Sequence, residues 1–201
     1  MKTKIIVDAM GGDNAPDSVV RGAIAGAKKH DVDIILVGDK SIIETILKKE
    51  DLTGLDVQIE HAASAVLMSD PPSVVQKEKL DSSIVIGCNM LASGKGDVLI
   101  SAGNTGALFM AATLYVRRHK GVRRAALGAI VPLDNTFIIV DSGANTDATP
   151  ELLLQFAKMG SLYCENLLGV KSPRIGLLNN GSEPNKGTDL YKQSYELLKE
   201  S

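Results

Sequence analysis

The sequence is poor in aromatic residues and has no excess of positive charge. Among 201 residues there are four Tyr, three Phe and no Trp. Proteins that bind single-stranded nucleic acid stack its bases on aromatic rings, and DNA or RNA partners require a basic surface. With 22 Lys and Arg against 24 Asp and Glu, the net charge is −2 at pH 7. The composition therefore argues against a nucleic-acid partner.

Cysteines and long apolar runs are scarce as well. The two cysteines, Cys88 and Cys164, lie far apart, and no CxxC motif or Cys–His cluster occurs. This pattern argues against zinc and a disulfide framework and predicts reduced, buried thiols. The N-terminal MKTKIIVDAMGG has too short an apolar run for a signal peptide, and no stretch reaches the length of a membrane span. We therefore expect a cytoplasmic protein, with attachment at the inner face of the plasma membrane left open.

The pattern along the chain alternates short apolar strands with amphipathic helices. Strands are predicted at residues 4–7, 34–38, 57–60, 97–100, 126–131, 137–140 and 174–178, and helices at 17–30, 40–50, 82–92, 106–117, 149–168 and 189–199. Asp17 is the candidate N-cap of the first helix. This alternation is typical of an α/β fold with a mostly parallel sheet and helices on both faces, a Rossmann-like three-layer arrangement. The adjacent strands at 126–131 and 137–140 are candidates for a hairpin. We expect residues 1–201 to form a single α/β domain.

Four loops that follow predicted strands combine Gly with Asp, Asn, Ser or Thr. They lie at residues 8–16, 101–106, 141–145 and 179–187. In open α/β sheets, ligands bind outside the carboxyl ends of the strands. We therefore expect these four loops to converge on one edge of the sheet.

The sharpest motif is SAGNTG at residues 101–106. Its glycines permit a tight turn, and free N–H groups at a helix start bind oxyanions. The candidate phosphate-binding residues are Ser101, Gly103, Asn104, Thr105 and Gly106. The alternative is that Asn104 or Thr105 only caps the helix while the glycines make an ordinary turn.

Charged and amide residues in the other three loops are further candidates. Asp8 at a strand end faces the expected crevice, whereas Asp13 is also a common turn residue. Asp141 and Asn145 raise the same question, since Asn145 is also a good turn former. Lys186, a cation among glycines, fits a phosphate or thioester oxygen, although a solvated loop lysine is the more common case.

The remaining polar residues give weaker signals. His30, His61 and His119 lie outside all four loops, so no hydrolase triad is predicted. The basic run at 117–124 is either ordinary solvated surface or a surface that attracts an acidic protein partner. The segment MSDPP at 68–72 is incompatible with regular helix or a central strand, and it is either a lid or a plain connection.

Several rare stretches occur together in one order: DAMGGDNAP, MSDPPS with a later DSS, GDVLISAGNTGAL, DSGANTDATPELLLQFAKMG and LLNNGSEPNKG. In these stretches the sequence resembles the bacterial phosphate acyltransferase family PlsX, the acyl-acyl carrier protein:phosphate acyltransferases. The resemblance extends over essentially the whole chain. The sequence departs from the family at Asn180, where an aliphatic residue is usual, and at Ser142, where the family usually has Val.

The resemblance implies a fold, a reaction and partners. The fold is isopropylmalate-dehydrogenase-like. Family members are longer, which implies a chain truncated at its C-terminus with an incomplete sheet. In the implied reaction, inorganic phosphate attacks a long-chain acyl thioester on acyl carrier protein and forms acyl phosphate for phospholipid and fatty acid biosynthesis. No cofactor or metal is implied, and the family's remaining C-terminal portion carries helices implicated in homodimer formation and peripheral membrane contact.

The resemblance also suggests roles for the candidate residues. Residues 101–106, with Asp141 and Asn145, are assigned to phosphate. Lys186 and Asn180 are assigned to contact phosphate or the thioester carbonyl oxygen during catalysis. The carboxylates of Asp8, Asp13 and Asp141 are expected to orient donors and shape the crevice, because a carboxylate beside phosphate repels it.

Three other functions stay open from the sequence. A phosphotransacetylase acting on an acyl-coenzyme A shares this chemistry. A nicotinamide-dependent decarboxylating dehydrogenase is the rival within the same fold. It requires arginines for a dicarboxylate and an aspartate set for a divalent metal, and the four loops contain no arginine. An inactive fragment that keeps phosphate or partner binding is the non-enzyme alternative.

Overall fold

The computed structural model describes residues 2–134, 136–181, 183 and 186–201. The chain divides into two compact units, residues 1–117 and 118–201. The single domain predicted from the sequence stays a prediction.

The first unit contains a four-stranded sheet with helices between its strands. Its strands are β1 (Lys4–Asp8), β2 (Asp33–Gly38), β3 (Val57–His61) and β4 (Val98–Ile100). Its helices are α1 (Asp17–His30), α2 (Lys40–Leu47), α3 (Val74–Lys77), α4 (Ser83–Ala92) and α5 (Thr105–Ala111). The strand order is β3-β2-β1-β4, and every pair is parallel. The mostly parallel sheet predicted from the sequence is confirmed.

Helices pack against both faces of this sheet. Because successive side chains of a strand point to opposite faces, the apolar residues of β1 and β2 supply two separate cores. Leu36 packs in one cluster with residues of α1 and α2, such as Val20 and Ile43. Its neighbour Ile35 belongs to the cluster on the other face, with Met90 of α4. Helices on both faces are therefore confirmed.

Two helix ends differ from the sequence prediction. Asp17, expected as the N-cap of α1, is the first helical residue, and its carboxylate accepts a hydrogen bond from Arg21 Nε at 2.9 Å. The helix predicted at 106–117 is α-helical only as far as Ala111. A π-helical turn follows at Ala112–Val116 and ends at Arg117, whose φ is +71°.

Cys88 on α4 is completely buried, and both cysteines are free thiols, as predicted. Burial raises the pKa of Cys88 to about 11, with a smaller contribution from the charge of Asp8. At pH 8 we expect alkylation of Cys88 in the folded protein at least about 100-fold slower than in urea, since its thiolate is scarce and its sulfur inaccessible. Peptide mass spectrometry after timed iodoacetamide labelling measures this, and equal rates in both conditions would contradict the buried position.

The second unit contains a hairpin and two long helices. β5 (Gly128–Val131) pairs antiparallel with β6 (Phe137–Val140), which confirms the predicted hairpin. Its connecting turn includes Asn135, which lies outside the described residues. α6 (Pro150–Leu167) and α7 (Asp189–Lys199) match their predicted spans within one or two residues. The hydroxyl of Thr149 caps α6 by accepting from the backbone N–H of Leu152 at 3.4 Å.

The strand predicted at residues 174–178 is wrong. This segment has no regular secondary structure, and Leu178 is 83% exposed. An apolar, extended segment becomes a strand only when a neighbouring backbone supplies its hydrogen bonds. Within the described part of this unit, β5 and β6 pair only with each other.

Candidate functional site

The first and second Gly-rich loops meet at the carboxyl ends of β1 and β4. These strands are direct neighbours, with Val7 opposite Ile100, so the residues that follow them lie side by side. Asp8 is only 1% exposed, and its Oδ2 accepts a hydrogen bond from the Ser101 hydroxyl at 2.6 Å. Its Oδ1 accepts from the backbone N–H of Met10 at 3.2 Å. The Asp8 carboxylate therefore joins the two loops from beneath.

Glycine is required where the two loops touch. A Cβ on Gly11 would lie 2.4 Å from Asp8 Oδ2 and 3.0 Å from the backbone nitrogen of Gly103. Gly12 has a φ of +115° and lies against the carbonyl oxygen of Ala102. The backbone N–H of Gly103 in turn donates to Ser101 Oγ at 3.1 Å. The loops are thus packed backbone to backbone, with no room for side chains between them.

Asn104 is the N-cap of helix α5, directly before Thr105. Its side-chain oxygen accepts from the backbone N–H of Ala107 at 3.0 Å, so the cap reading from the sequence is confirmed. Its amide nitrogen lies 2.9 Å from the carbonyl oxygen of Asp70 and slightly farther from those of Leu67 and Met68. Both polar atoms of the side chain are therefore already engaged.

Several donors of the turn at residues 101–106 remain available. Within the described part of the chain, the backbone N–H groups of Ala102, Asn104, Thr105 and Gly106 have no hydrogen-bond acceptor. Thr105 is exposed, whereas Asn104 is buried. A turn with several free N–H groups suits an oxyanion.

Asp13 takes no part in this cluster. It is exposed in the turn that precedes α1, and its carboxylate contacts no hydrogen-bond donor among the described residues. In the first unit the structure thus brings together Asp8 and the residues of the 101–106 turn, and it leaves Asp13 at the surface.

In the second unit, Asp141 and Asn145 form a cluster of their own. The Asp141 carboxylate accepts from the backbone N–H groups of Leu127 at 2.7 Å, Asn145 at 2.8 Å and Gly143 at 3.2 Å. The Asn145 amide donates to the carbonyl oxygen of Ala125 at 3.0 Å. Burial by itself raises the pKa of Asp141, but these N–H donors outweigh it and hold the pKa below its ordinary value. In this unit both side chains fasten their loop to the start of β5.

Asn180 and Lys186 lie in the last Gly-rich loop, where Ser182, Pro184 and Asn185 fall outside the described residues. Asn179, which the sequence analysis did not single out, organises this loop. Its side-chain oxygen accepts from the N–H of Asn180 at 2.9 Å, and its amide nitrogen lies 3.3 Å from the carbonyl oxygen of Lys186. Lys186 lines a cavity of about 580 Å³ beside α7, together with Tyr191 and Tyr195.

An ion pair next to the 101–106 turn was not predicted from the sequence. Lys79 Nζ lies 2.6 Å from Asp70 Oδ2, and Asp70 belongs to the segment that Asn104 holds. The sequence had marked the MSDPP segment as unusual, but no motif or spacing points to Lys79 as its partner. The structure shows this segment as a connection held against α5.

Among the described residues, no helix is at once long enough and apolar enough to cross a lipid bilayer. In the same part of the chain, no three His, Cys, Asp or Glu side chains lie close enough together to hold a metal ion.

Comparison with known proteins adds a family and a fold. The family model described as "Fatty acid synthesis protein" matches residues 3–201. The phosphate acyltransferase of Clostridium kluyveri is 45% identical over 197 residues, and that of Acetivibrio thermocellus is 43% identical over 199 residues. Each comparison covers 98% of this chain and 59% of the relative, so the chain spans about three fifths of these proteins.

A solved structure of a phosphotransacetylase from Streptococcus pyogenes is similar in fold. The TM-score is 0.70 at 17% sequence identity, and the match covers 99% of this chain and 65% of that protein. At this identity the likeness concerns the fold alone. The α/β fold class predicted from the sequence agrees with it.

Proposed function

The chain belongs to the fatty acid synthesis protein family, and from this membership we propose that it transfers a long-chain acyl group from acyl carrier protein to inorganic phosphate. The relatives named phosphate acyltransferase support this activity. The observation that carries the proposal is the contact between the first two Gly-rich loops, where Asp8 fixes Ser101 and the neighbouring N–H groups stay free.

The proposed chemistry requires positioning more than acid–base catalysis. Phosphate is anionic at neutral pH, and a thiolate is a good leaving group. A phosphate oxygen attacks the thioester carbonyl carbon, the new C–O bond forms, and the C–S bond breaks to release the carrier thiolate. An enzyme accelerates such a step by orienting phosphate and by stabilising the charge that develops on the carbonyl oxygen.

Each candidate residue has a proposed role in this step. The free backbone N–H groups of Ala102, Asn104, Thr105 and Gly106, with the Thr105 hydroxyl, bind phosphate. A carboxylate that faces phosphate repels it. We therefore assign Asp8 to positioning Ser101, whose hydroxyl donates a hydrogen bond to Asp8 Oδ2 at 2.6 Å. For the residues outside this cluster, the proposed roles rest on the family resemblance. Asp13 shapes the crevice, and Asp141 and Asn145 take part in phosphate binding. Lys186 and Asn180 contact phosphate or the thioester oxygen.

A trapping assay tests this function. The chain is incubated with palmitoyl-acyl carrier protein and phosphate, and hydroxylamine converts any acyl phosphate to a hydroxamate. The Clostridium kluyveri phosphate acyltransferase serves as positive control. We expect phosphate-dependent hydroxamate with the carrier-protein thioester and much less with palmitoyl-coenzyme A. Equal use of coenzyme A would favour a phosphotransacetylase, and no product beside a working control would contradict catalysis by this chain.

The proposed catalytic lysine has a matched control in the same assay. Lys186→Ala is expected to lower the rate by about 100-fold, the usual effect of removing one donor to a developing oxyanion. Lys171→Ala removes a lysine that is exposed and lies outside the four loops, and it should leave the rate unchanged. A wild-type rate in Lys186→Ala would show that this lysine has no catalytic role.

The setting of the reaction is also proposed from the family resemblance. We assign the protein to the cytoplasm and to phospholipid metabolism, acting as a homodimer with peripheral contact to the inner face of the plasma membrane. Sedimentation of the chain with and without vesicles tests the dimer and the membrane contact together.

A further inference from the structure

The segment at residues 65–72 is fastened to the start of α5 by one buried amide. The nitrogen of Asn104 lies 3.2 Å from the carbonyl oxygen of Leu67, 3.3 Å from that of Met68 and 2.9 Å from that of Asp70. An amide has two N–H bonds, so three carbonyl oxygens share two hydrogens. The orientation of Asn104 therefore depends on where this segment holds its carbonyls.

An ion pair determines the position of those carbonyls. Lys79 Nζ lies 2.6 Å from Asp70 Oδ2 and 2.7 Å from the carbonyl oxygen of Ala65. The same carboxylate accepts from the backbone N–H of Leu67 at 2.7 Å. The hydrogen bond from Lys79, followed by that from Leu67, holds the pKa of Asp70 below its ordinary value. Lys79 thus ties both ends of the turn that Asn104 contacts.

The contact continues along α5. A Cβ on Gly106 would lie 2.7 Å from Pro72 Cγ, so Pro72 sits directly over the 101–106 turn. Farther along, the Tyr115 hydroxyl donates to the carbonyl oxygen of Val75 at 2.7 Å. The tip of the segment stays open, with Leu67 58% and Met68 54% exposed. The segment at residues 65–72 therefore packs against the 101–106 turn, while the side chains at its tip are exposed to solvent.

Resting on the function proposed above, we propose that Asp70 and Lys79 are positioning residues for phosphate binding. They hold residues 65–70 so that the Asn104 side chain stays on its three carbonyls and the free N–H groups of the 101–106 turn keep their positions. Asn104 then acts through its side chain as a link between the two segments and through its backbone N–H as a donor to phosphate. Neither Asp70 nor Lys79 touches phosphate in this arrangement.

Titration calorimetry of the 201-residue chain with inorganic phosphate tests the proposal. Asp70→Asn keeps the shape of the side chain and removes its charge. Asn104→Asp keeps the oxygen that caps α5 but places a carboxylate oxygen against three carbonyls. Asp70→Asn is expected to raise the Kd for phosphate by about 5- to 10-fold at unchanged stoichiometry, the loss of roughly one hydrogen bond. Asn104→Asp should raise the Kd further, because its carboxylate also repels phosphate. The double variant of Asp70→Asn and Lys79→Met should match Asp70→Asn alone, because both act on one link.

The chain offers a closely matched control. Asp51 also accepts from a lysine, Lys28 at 3.1 Å, and from a backbone N–H, that of Thr53 at 3.0 Å. Asp51→Asn should leave the Kd for phosphate unchanged. A purely structural role for Asp70 would reduce the stoichiometry as part of the protein unfolds, leave the Kd of the rest unchanged, and overturn the proposal. A wild-type chain that binds no phosphate would overturn the proposed function and this inference together, whereas equal Kd values in wild type and variants would overturn this inference alone.

Discussion

Replacing Gly11 by alanine is expected to remove phosphate binding and to destabilise the unit at residues 1–117 by about 2–3 kcal/mol. The added Cβ would lie 2.4 Å from Asp8 Oδ2, a distance that no contact between a Cβ and an oxygen tolerates. It would also meet the backbone nitrogen of Gly103 at 3.0 Å, so relief by moving one loop disturbs the other. Both loops must separate, and the free N–H groups of the 101–106 turn are displaced.

Gly22→Ala is the matched control for this substitution. Gly22 lies within α1 and a Cβ there meets nothing within 4 Å, so alanine should stabilise the helix by about 0.5–1 kcal/mol. Urea unfolding followed by circular dichroism measures both changes, and phosphate titration measures binding. A Gly11→Ala chain as stable as wild type and with wild-type affinity for phosphate would show that the two loops are not packed as described.

Asp8→Ala is expected to be the most destabilising single change that removes a polar group from the site, by about 2–4 kcal/mol. Each hydrogen bond to a buried charge contributes roughly 1.5–3 kcal/mol, and the substitution leaves the Ser101 hydroxyl and the Met10 N–H without their acceptor. Ser101→Ala alone should cost less. The combined variant should be less destabilised than the sum of the two, with a coupling energy of about 1–2 kcal/mol.

A double-mutant cycle in urea measures this coupling directly. The exposed pair of Arg124 and Asp147, whose nearest atoms are 3.0 Å apart, provides the comparison. Exposed ion pairs couple weakly, so this second cycle should give a clearly smaller value than the first. Additive effects of Asp8→Ala and Ser101→Ala would mean that the 2.6 Å hydrogen bond does not join the loops in solution.

The part of the fold and site that could be predicted depended on local patterns and on neighbouring strands. Buried parallel strands are apolar throughout, and β1 and β2 could be predicted because a short apolar run bounded by turn residues is typical of such a strand. The loops that carry Asp8 and Ser101, 93 residues apart, were expected on one edge of the sheet, because ligands bind at the carboxyl ends of parallel strands. The hydrogen bond between the two side chains was not predicted.

The errors came from interactions that local pattern does not encode. The apolar run at residues 174–178 reads as a strand, yet strand formation depends on a partner backbone that the run itself cannot specify. Likewise, the bond from Asn104 to the carbonyl of Asp70 spans 34 residues between irregular segments. The Gly-rich turn at residues 101–106 could be recognised from its composition, but two roles for Asn104 stayed open. Only the structure shows that the Asn104 side chain binds the protein's own backbone.

Because the Asn104 amide contacts three carbonyl oxygens, its nuclear magnetic resonance signals report whether this contact is intact. A buried carboxamide whose two hydrogens lie in unlike surroundings produces a separated pair of proton–nitrogen resonances that exchange slowly with solvent. Those two peaks monitor the integrity of the link without any substrate, thioester or turnover. Nuclear magnetic resonance at this one residue can therefore distinguish two kinds of variant. In one, the Asn104 amide no longer contacts the carbonyls of residues 67–70; in the other, that contact is intact and only catalysis is lost.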